Sequence, residues 1–495
     1  MKHFTIEELI YSETALKKRL RNKTTAAAED NLRRLVETVL DPLREAYGKA
    51  VTVTSGYRCK ELNKAVGGVG NSQHCFDENT EILTTSGWRT YKTICTSDDV
   101  VSYNISEDRV EITPINDIII REHQGRMMQV QTACIDIVCT DGHRMLVRYP
   151  THKYKRRNTK NITPKGQSYF DSLKTENHKY HIELAQDVFG KRRIYKCAGL
   201  YKGSVLSEED MNLLRFAFAF VCDGYWLEKK PSLAMGFRFR KERKVQHLSN
   251  LAKRLGWDFA LNLDKNGVYN FYFRRKYADV IYQIVGESKT IPNYLMFLNP
   301  SQSLELLECF ASYDGSFDRR DNKNRLSMST TNKANADILQ VMSALSGIKC
   351  QMQTLPERIY NIKGKTGMAK PAYVLSTCCK DETRAGERDY KWIDYNGIVW
   401  CVNNRNTTVI TRRNGKIAIL GNCLGCAADI TGKSKAENRV LMQLVVRLGL
   451  PFDQCIDEKG FQWVHVSVAP PQSAARRQLL RYDGRKYTAI TTAEI

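Results

Sequence analysis

The strongest constraint on this chain is a change of texture that happens twice along its 495 residues. Up to His74 the sequence reads mainly as helices. Ile6, Leu9 and Ile10 recur at helical spacing, and so do Leu32, Leu35, Val39 and Leu43. A β-branched run, Val51-Thr-Val-Thr54, stops at Ser55-Gly56 as a strand would, and the turn Gly67-Gly-Val-Gly70 leads into Ser72-Gln-His74. From Cys75 short alternating runs such as Glu81-Ile-Leu-Thr84 and Ile135-Asp-Ile-Val138 predict many small strands. After Cys423 helical spacing returns, with Leu441, Leu444, Val445 and Leu448 on one face. The two flanks, 1–74 and 423–495, therefore read as halves of one domain, and 75–422 as a different protein set between them.

Composition narrows the classes. A chain of this length holds roughly three domains, each with its own core. The net charge of +22 calls for an anionic partner. Positive charge is spread at similar density over the flanks and the interior, so it does not say which part binds what. The 15 cysteines, in a long chain whose first ten residues carry charge where a secretory signal needs an apolar stretch, read as thiols, nucleophiles or ligands rather than a disulfide scaffold. The expectation is synthesis in the cytoplasm without a signal peptide and without a membrane segment. A product acting on the cell wall would then need holin-like release, or carriage on a virion.

The interior opens Cys75-Phe-Asp-Glu-Asn-Thr-Glu-Ile-Leu and closes Ala418-Ile-Leu-Gly-Asn422, followed by Cys423. Between them stand Thr140-Asp-Gly-His143, after a predicted strand, and Val399-Trp-Cys401-Val402. These four features, in this order and at the ends of the texture change, resemble the intein family of protein-splicing elements. The resemblance implies an all-β, horseshoe-shaped Hint domain and needs no cofactor. The thiol of Cys75 would attack the carbonyl before it and make a thioester. Thr140 and His143 would hold and protonate the scissile amide, with Cys401 in the block where the family often has Asp or Cys. Cys423 would take over the acyl group, Asn422 would cyclise, and an S-to-N shift would join His74 to Cys423. Two departures stand out: Gly421 occupies the penultimate position where many inteins have His, and Asn406-Thr-Thr408 lacks the His often seen upstream.

A duplicated unit lies inside the insert. Phe216-Ala-Phe-Ala-Phe-Val-Cys-Asp-Gly224 and Leu307-Glu-Cys-Phe-Ala-Ser-Tyr-Asp-Gly315 both end a helical block in Asp-Gly, and helices over 244–256 and 332–347 follow them. Two amphipathic helices ending in ordinary turns would look similar one at a time. The repeat resembles the LAGLIDADG homing endonucleases. It implies that small residues let two helices pack closely, that Asp223 and Asp314 meet at their ends to hold Mg²⁺, and that strands such as Phe237-Arg-Phe-Arg240 lie on double-stranded DNA, the intein-free allele. The basic run 153–160 is either a solvated loop or a source of phosphate contacts.

Joined, the flanks read Ser72-Gln-His74-Cys423-Leu-Gly-Cys-Ala-Ala-Asp429, with Trp463-Val-His465 further on and Ser55-Gly-Tyr-Arg58 and Leu62-Asn63 before. This resembles the D-alanyl-D-alanine carboxypeptidase and endolysin family of zinc peptidases. The resemblance implies Zn²⁺ held by His74, Asp429 and His465, with water in the open position. It makes Glu458 the general base and Arg58 the anchor of a substrate carboxylate or the oxyanion, and the substrate a peptidoglycan stem peptide. Two other readings stay open: Cys423-Leu-Gly-Cys426 as a C-x-x-C motif, and the flanks as a non-catalytic wall-binding or virion module around an inert insert. The expected fold is thus multi-domain: an α+β zinc peptidase (1–74 and 423–495) split by an all-β splicing domain (75–200 and 376–422), in which an α+β endonuclease (201–375) is nested.

Overall fold

The computed structural model describes all residues except 23, 25, 58–61, 63–74, 151–178, 228–232, 319–324, 363, 423–426, 469–474, 476 and 484–486. Arg58, His74, Cys423 and the run 153–160 therefore lie outside the described residues, as do Ser72 and Asn63. The chain is multi-domain, with mixed helices and large sheets. Among the described residues no helix is long and apolar enough to cross a membrane.

The two flanks fold together. One six-stranded sheet runs in the order Thr52–Ser55, Ala427–Thr431, Trp463–Val468, Phe452–Glu458, Gln478–Tyr482, Tyr487–Ala489, so a strand from the first flank is zipped to strands from the second. Val53 pairs with Ile430 and Ser55 with Asp429. The apolar stripe of the helical stretch 26–47, including Leu32, Leu35, Val39 and Leu43, packs in one core with Leu441 and Val445 of the helix Lys435–Arg447 and with Val464 and Val466 of the sheet. Neither flank could close this core alone, because each supplies only one side of it.

The interior begins as a closed barrel of Phe76–Asp77, Tyr390–Asn403, Asp117–Gln131 and Asp136–Cys139. Closure hides the strand edges that these segments would otherwise expose.

The duplication is visible in the strand order. After the helix Glu208–Asp223 comes a sheet ordered Gly224–Trp226, Leu233–Phe239, Tyr269–Arg274, Phe259–Leu263. After the helix Pro300–Asp314 comes Gly315–Asp318, Arg325–Thr330, Ala372–Cys378, Lys349–Leu355, the same order again. Alternation explains the first sheet: Phe237, Phe239, Phe271 and Phe273 are buried, while Arg238, Arg240 and Arg274 face outward.

The second sheet does not stop at the repeat. It continues through Lys416–Gly421 and Thr408–Arg413 to Glu81–Thr84, making a ten-stranded sheet. Residues of both regions share one core, with Leu83, Tyr103 and Ile419 beside Met211, Phe310 and Leu339. The nested unit is continuous in packing with its surroundings.

Candidate functional site

The turn 140–143 links the strands Asp136–Cys139 and Arg144–Arg148 at the edge of the barrel. It closes on itself through the His143 amide, which donates to the Thr140 carbonyl at 3.0 Å. Cys75 enters alongside. Its amide donates to Thr140 Oγ1 at 3.1 Å, and its carbonyl accepts from the Thr140 amide at 3.0 Å. Cys75, Thr140 and His143 are all buried, and the His143 ring sits 4.3 Å from the ring of Phe76, centre to centre. Phe76 pairs with Trp400. The same register carried one residue further sets Cys75 opposite Cys401, whose thiol donates to the Val402 carbonyl at 3.4 Å.

The other end of the interior arrives at the same turn. Asn422 follows the strand Lys416–Gly421 and is fully buried. Its amide donates to the Thr407 carbonyl at 3.0 Å. The buried side chain of Arg144 donates from Nη1 to the Asn422 carbonyl at 3.2 Å and to the Thr407 carbonyl at 3.4 Å. Five consecutive residues, 140–144, thus touch both Cys75 and Asn422, which lie 65 and 278 residues away from their partners in the turn. The segment around 406–408 holds this end in place: Thr408 Oγ1 donates to the Tyr103 carbonyl at 2.6 Å, and Asn406 donates to Ser102 at 2.9 Å. Sequence reasoning found Cys75, Thr140, His143 and Asn422 but not Arg144, for which adjacency to His143 was the available signal.

At the repeat, the helices Glu208–Asp223 and Pro300–Asp314 pack through the small residues expected of them. The Cys309 thiol reaches the Arg215 carbonyl at 3.3 Å, and that of Cys222 the Phe310 carbonyl at 3.9 Å. Glycine is required after each helix: a Cβ on Gly224 would meet the Phe220 ring at 2.1 Å, and one on Gly315 the Ser327 carbonyl at 2.2 Å. Asp223 is paired with Lys244 at 2.5 Å. Burial first, and then the charge of Asp223, raises the Asp314 carboxyl above its ordinary range. Lys289, which the sequence did not single out, donates to the Gly224 carbonyl at 2.8 Å, and burial lowers its ammonium.

On the flank sheet, Asp429 and His465 are cross-strand partners, and His465 Nδ1 meets Asp429 Oδ1 at 2.8 Å. His465 also pairs with Ile456, and Glu458 lies two residues along that strand, on the same face by the pleat. This face is opposite the one carrying Val464 and Val466 into the core. Burial raises the Glu458 carboxyl, and the neighbouring charge of His465 partly offsets it. Asp429 and His465 are bonded directly to one another, and both carry side chains of the kind that can ligate a metal. Among the described residues no third His, Cys, Asp or Glu completes a metal group, and His74 lies outside them.

A family model described as Peptidase M15 matches residues 2–90. A ribonucleoside-diphosphate reductase subunit beta from Aquifex aeolicus (strain VF5) is 23% identical over 404 residues, covering 78% of this chain and 55% of the relative. The chain thus spans about half the length of the curated relative it matches. Among solved structures, a splice-inactive variant of the AceL NrdHF class 3 split intein is 6% identical, with coverage of 71% of this chain and 99% of that one and a TM-score of 0.23. Mesophilic variants of the homing endonuclease I-DmoI are 13% identical over 34% of this chain and 90% of theirs, at 0.24. The N-terminal LAGLIDADG domain of DUF199/WhiA is 11% identical over 35% of this chain and 78% of its own, at 0.23. TM-scores of this size define no common fold.

Proposed function

We propose that residues 75–422 are a self-splicing intein carrying an endonuclease at 201–375, inserted into a zinc peptidase made of 1–74 and 423–495. The observation that carries the reading is the turn 140–144, which holds Cys75 on one side and Asn422 on the other. Splicing needs the two scissile bonds within reach of one another, and a shared turn provides that. The affiliations of the chain support an insert as well. A peptidase family model matches residues 2–90, which takes in the first flank and runs 16 residues past it, while the alignment with a reductase subunit is too long to avoid the interior.

In this reading Cys75 attacks the carbonyl before it, with Thr140 fixing the backbone at the bond and His143 protonating the departing nitrogen. The acyl group passes to Cys423, Asn422 cyclises, and the flanks join. Expression should give an excised piece spanning 75–422 and a ligated product of 1–74 with 423–495, read by mass spectrometry. Cys75→Ala with Asn422→Ala should leave the chain whole. A wild-type chain that stays intact under reducing conditions would falsify the proposal.

The ligated product is proposed to hydrolyse a peptidoglycan stem peptide. Zinc on His74, Asp429 and His465 would supply Lewis-acid polarisation. Glu458, buried on the same face, would move the proton, and Arg58 would anchor a substrate carboxylate. Metal analysis of the ligated product separates this from a wall-binding module, which needs no zinc. The nested unit is proposed to cut double-stranded DNA where the codons for His74 and Cys423 adjoin, with Asp223 and Asp314 holding Mg²⁺ and the outward arginines of the first sheet on the duplex.

A further inference from the structure

The proposed intein lacks the penultimate His that assists Asn cyclisation in many relatives, and the geometry shows what stands in that space. A Cβ on Gly421 would come 2.6 Å from Arg144 Cβ and 2.7 Å from the Arg144 carbonyl oxygen. Carbon atoms do not approach so closely, so no side chain at 421 can reach the Asn422 carbonyl past Arg144 without moving it. The Arg144 guanidinium occupies the approach instead, with Nη1 at 3.2 Å from the Asn422 carbonyl oxygen. Arg144 is almost fully buried and begins a strand paired on both sides, so its backbone is fixed. Nη1 is also anchored on the Thr407 carbonyl, which accepts from the Asn422 amide as well. Among the described residues neither side-chain atom of Asn422 has a hydrogen-bond partner, so no bond to a described residue holds its amide away from its own carbonyl.

We propose that Arg144 is the catalytic residue for cyclisation of Asn422, in place of a penultimate His. The proposal rests on the intein reading. In the step, Nδ2 of Asn422 attacks its own backbone carbonyl carbon and forms the ring C–N bond. Negative charge collects on the carbonyl oxygen, where the guanidinium meets it. The bond from that carbon to the nitrogen of residue 423 then breaks, and the leaving amine takes a proton lost from Nδ2. The products are a cyclic imide and a free amine, with no redox change. A guanidinium stays charged at any pH the protein survives, so it can stabilise the oxyanion but cannot act as a proton shuttle, unlike His.

The test uses the full chain and measures two cleavages in each variant. Thiol-induced release of the N-terminal flank reports the thioester at Cys75, and cleavage after Asn422 reports cyclisation. Removing one preorganised donor slows a step by about 10²- to 10³-fold. Arg144→Gln should keep thiol-induced release within about threefold while slowing cleavage after Asn422 by that factor, so that branched intermediate accumulates. Arg144→Lys should recover part of the loss, and its cleavage after Asn422 should stay flat between pH 6 and 8, where a His-assisted step would titrate. Cleavage after Asn422 at the wild-type rate in Arg144→Gln overturns the proposal. So does an equal loss of both cleavages in Arg144→Gln and Arg144→Lys, because the geometry requires an effect on one carbonyl only. Absence of either cleavage in the wild type would instead sink the intein reading itself.

Discussion

At Gly421 a modest chemical difference has a directional consequence. Placing at 421 the His that many inteins have looks like a repair, yet the Arg144 backbone stands where its Cβ would go. Gly421→His should therefore slow splicing and destabilise the strand Lys416–Gly421 by about 1–3 kcal/mol, as overpacking does. Thermal unfolding together with product yield checks it, and faster splicing in the variant would show that the turn yields easily. Thr140→Ala should act on the other end: release at Cys75 slows by about 10²-fold while cleavage after Asn422 is kept. Quantifying the two cleavages separately decides that. Cys75, Thr140, His143 and Asn422 stood out in the sequence because the proposed chemistry needs those residue types in that order. Arg144 did not, since the role proposed for it comes from a tertiary approach across 278 residues that no local pattern records.

Elements show where sequence patterns carry furthest and where they stop. Strand alternation in Phe237-Arg-Phe-Arg240 and the Asp-Gly helix ends of the repeat were both readable, and the strand order of the two sheets agrees with a duplication. The ten-stranded sheet was not readable, because edge-to-edge pairing of strands from different units leaves no periodic trace. The proposed boundaries at 201 and 375 accordingly fall inside a shared core. If the two chemistries still use separate centres, Asp223→Asn or Asp314→Asn should stop cleavage of an intein-free allele in magnesium while splicing proceeds. Loss of splicing in either variant would mean the shared core couples them. The strand His181–Leu184 gives a pH test. Burial pushes the Glu183 carboxyl up, but hydrogen bonds from His181 and Arg193 outweigh it and hold it at about 2, against an ordinary 4.5. The folded value is depressed, so this stabilisation is complete above the unfolded value and is lost as pH falls from about 4.5 through about 2. Ala185, two residues on from Glu183, donates to the His143 carbonyl at 2.7 Å, so the loss should reach the turn 140–144. Acid unfolding of a splicing-locked chain should show this limb, and Glu183→Gln should flatten it.

Across the whole molecule, the two flanks already form one sheet and one core around the insert. Asp429 and His465 already stand 2.8 Å apart. The proposed splicing therefore need not fold the flank domain; what it would change is the chain between 74 and 429. In the precursor His74 is bonded to Cys75, which is fixed inside the barrel by Thr140, whereas the other two proposed ligands are fixed on the flank sheet. On ligation His74 would be bonded to Cys423 and would lie seven residues from Asp429 in the joined sequence. Metal geometry tolerates misplacement of roughly 0.5 Å, so two anchors on different bodies should cost the third ligand. A precursor locked by Cys75→Ala and Asn422→Ala should accordingly be folded, as judged by a cooperative melt of the flank domain, yet bind Zn²⁺ at least about tenfold more weakly than the ligated product. It should also leave peptidoglycan uncut, while the ligated product cuts it and loses that activity with His465→Ala. Equal zinc affinity and equal hydrolysis in the locked and ligated forms would make the insert a passenger that the flank domain tolerates without being switched by it.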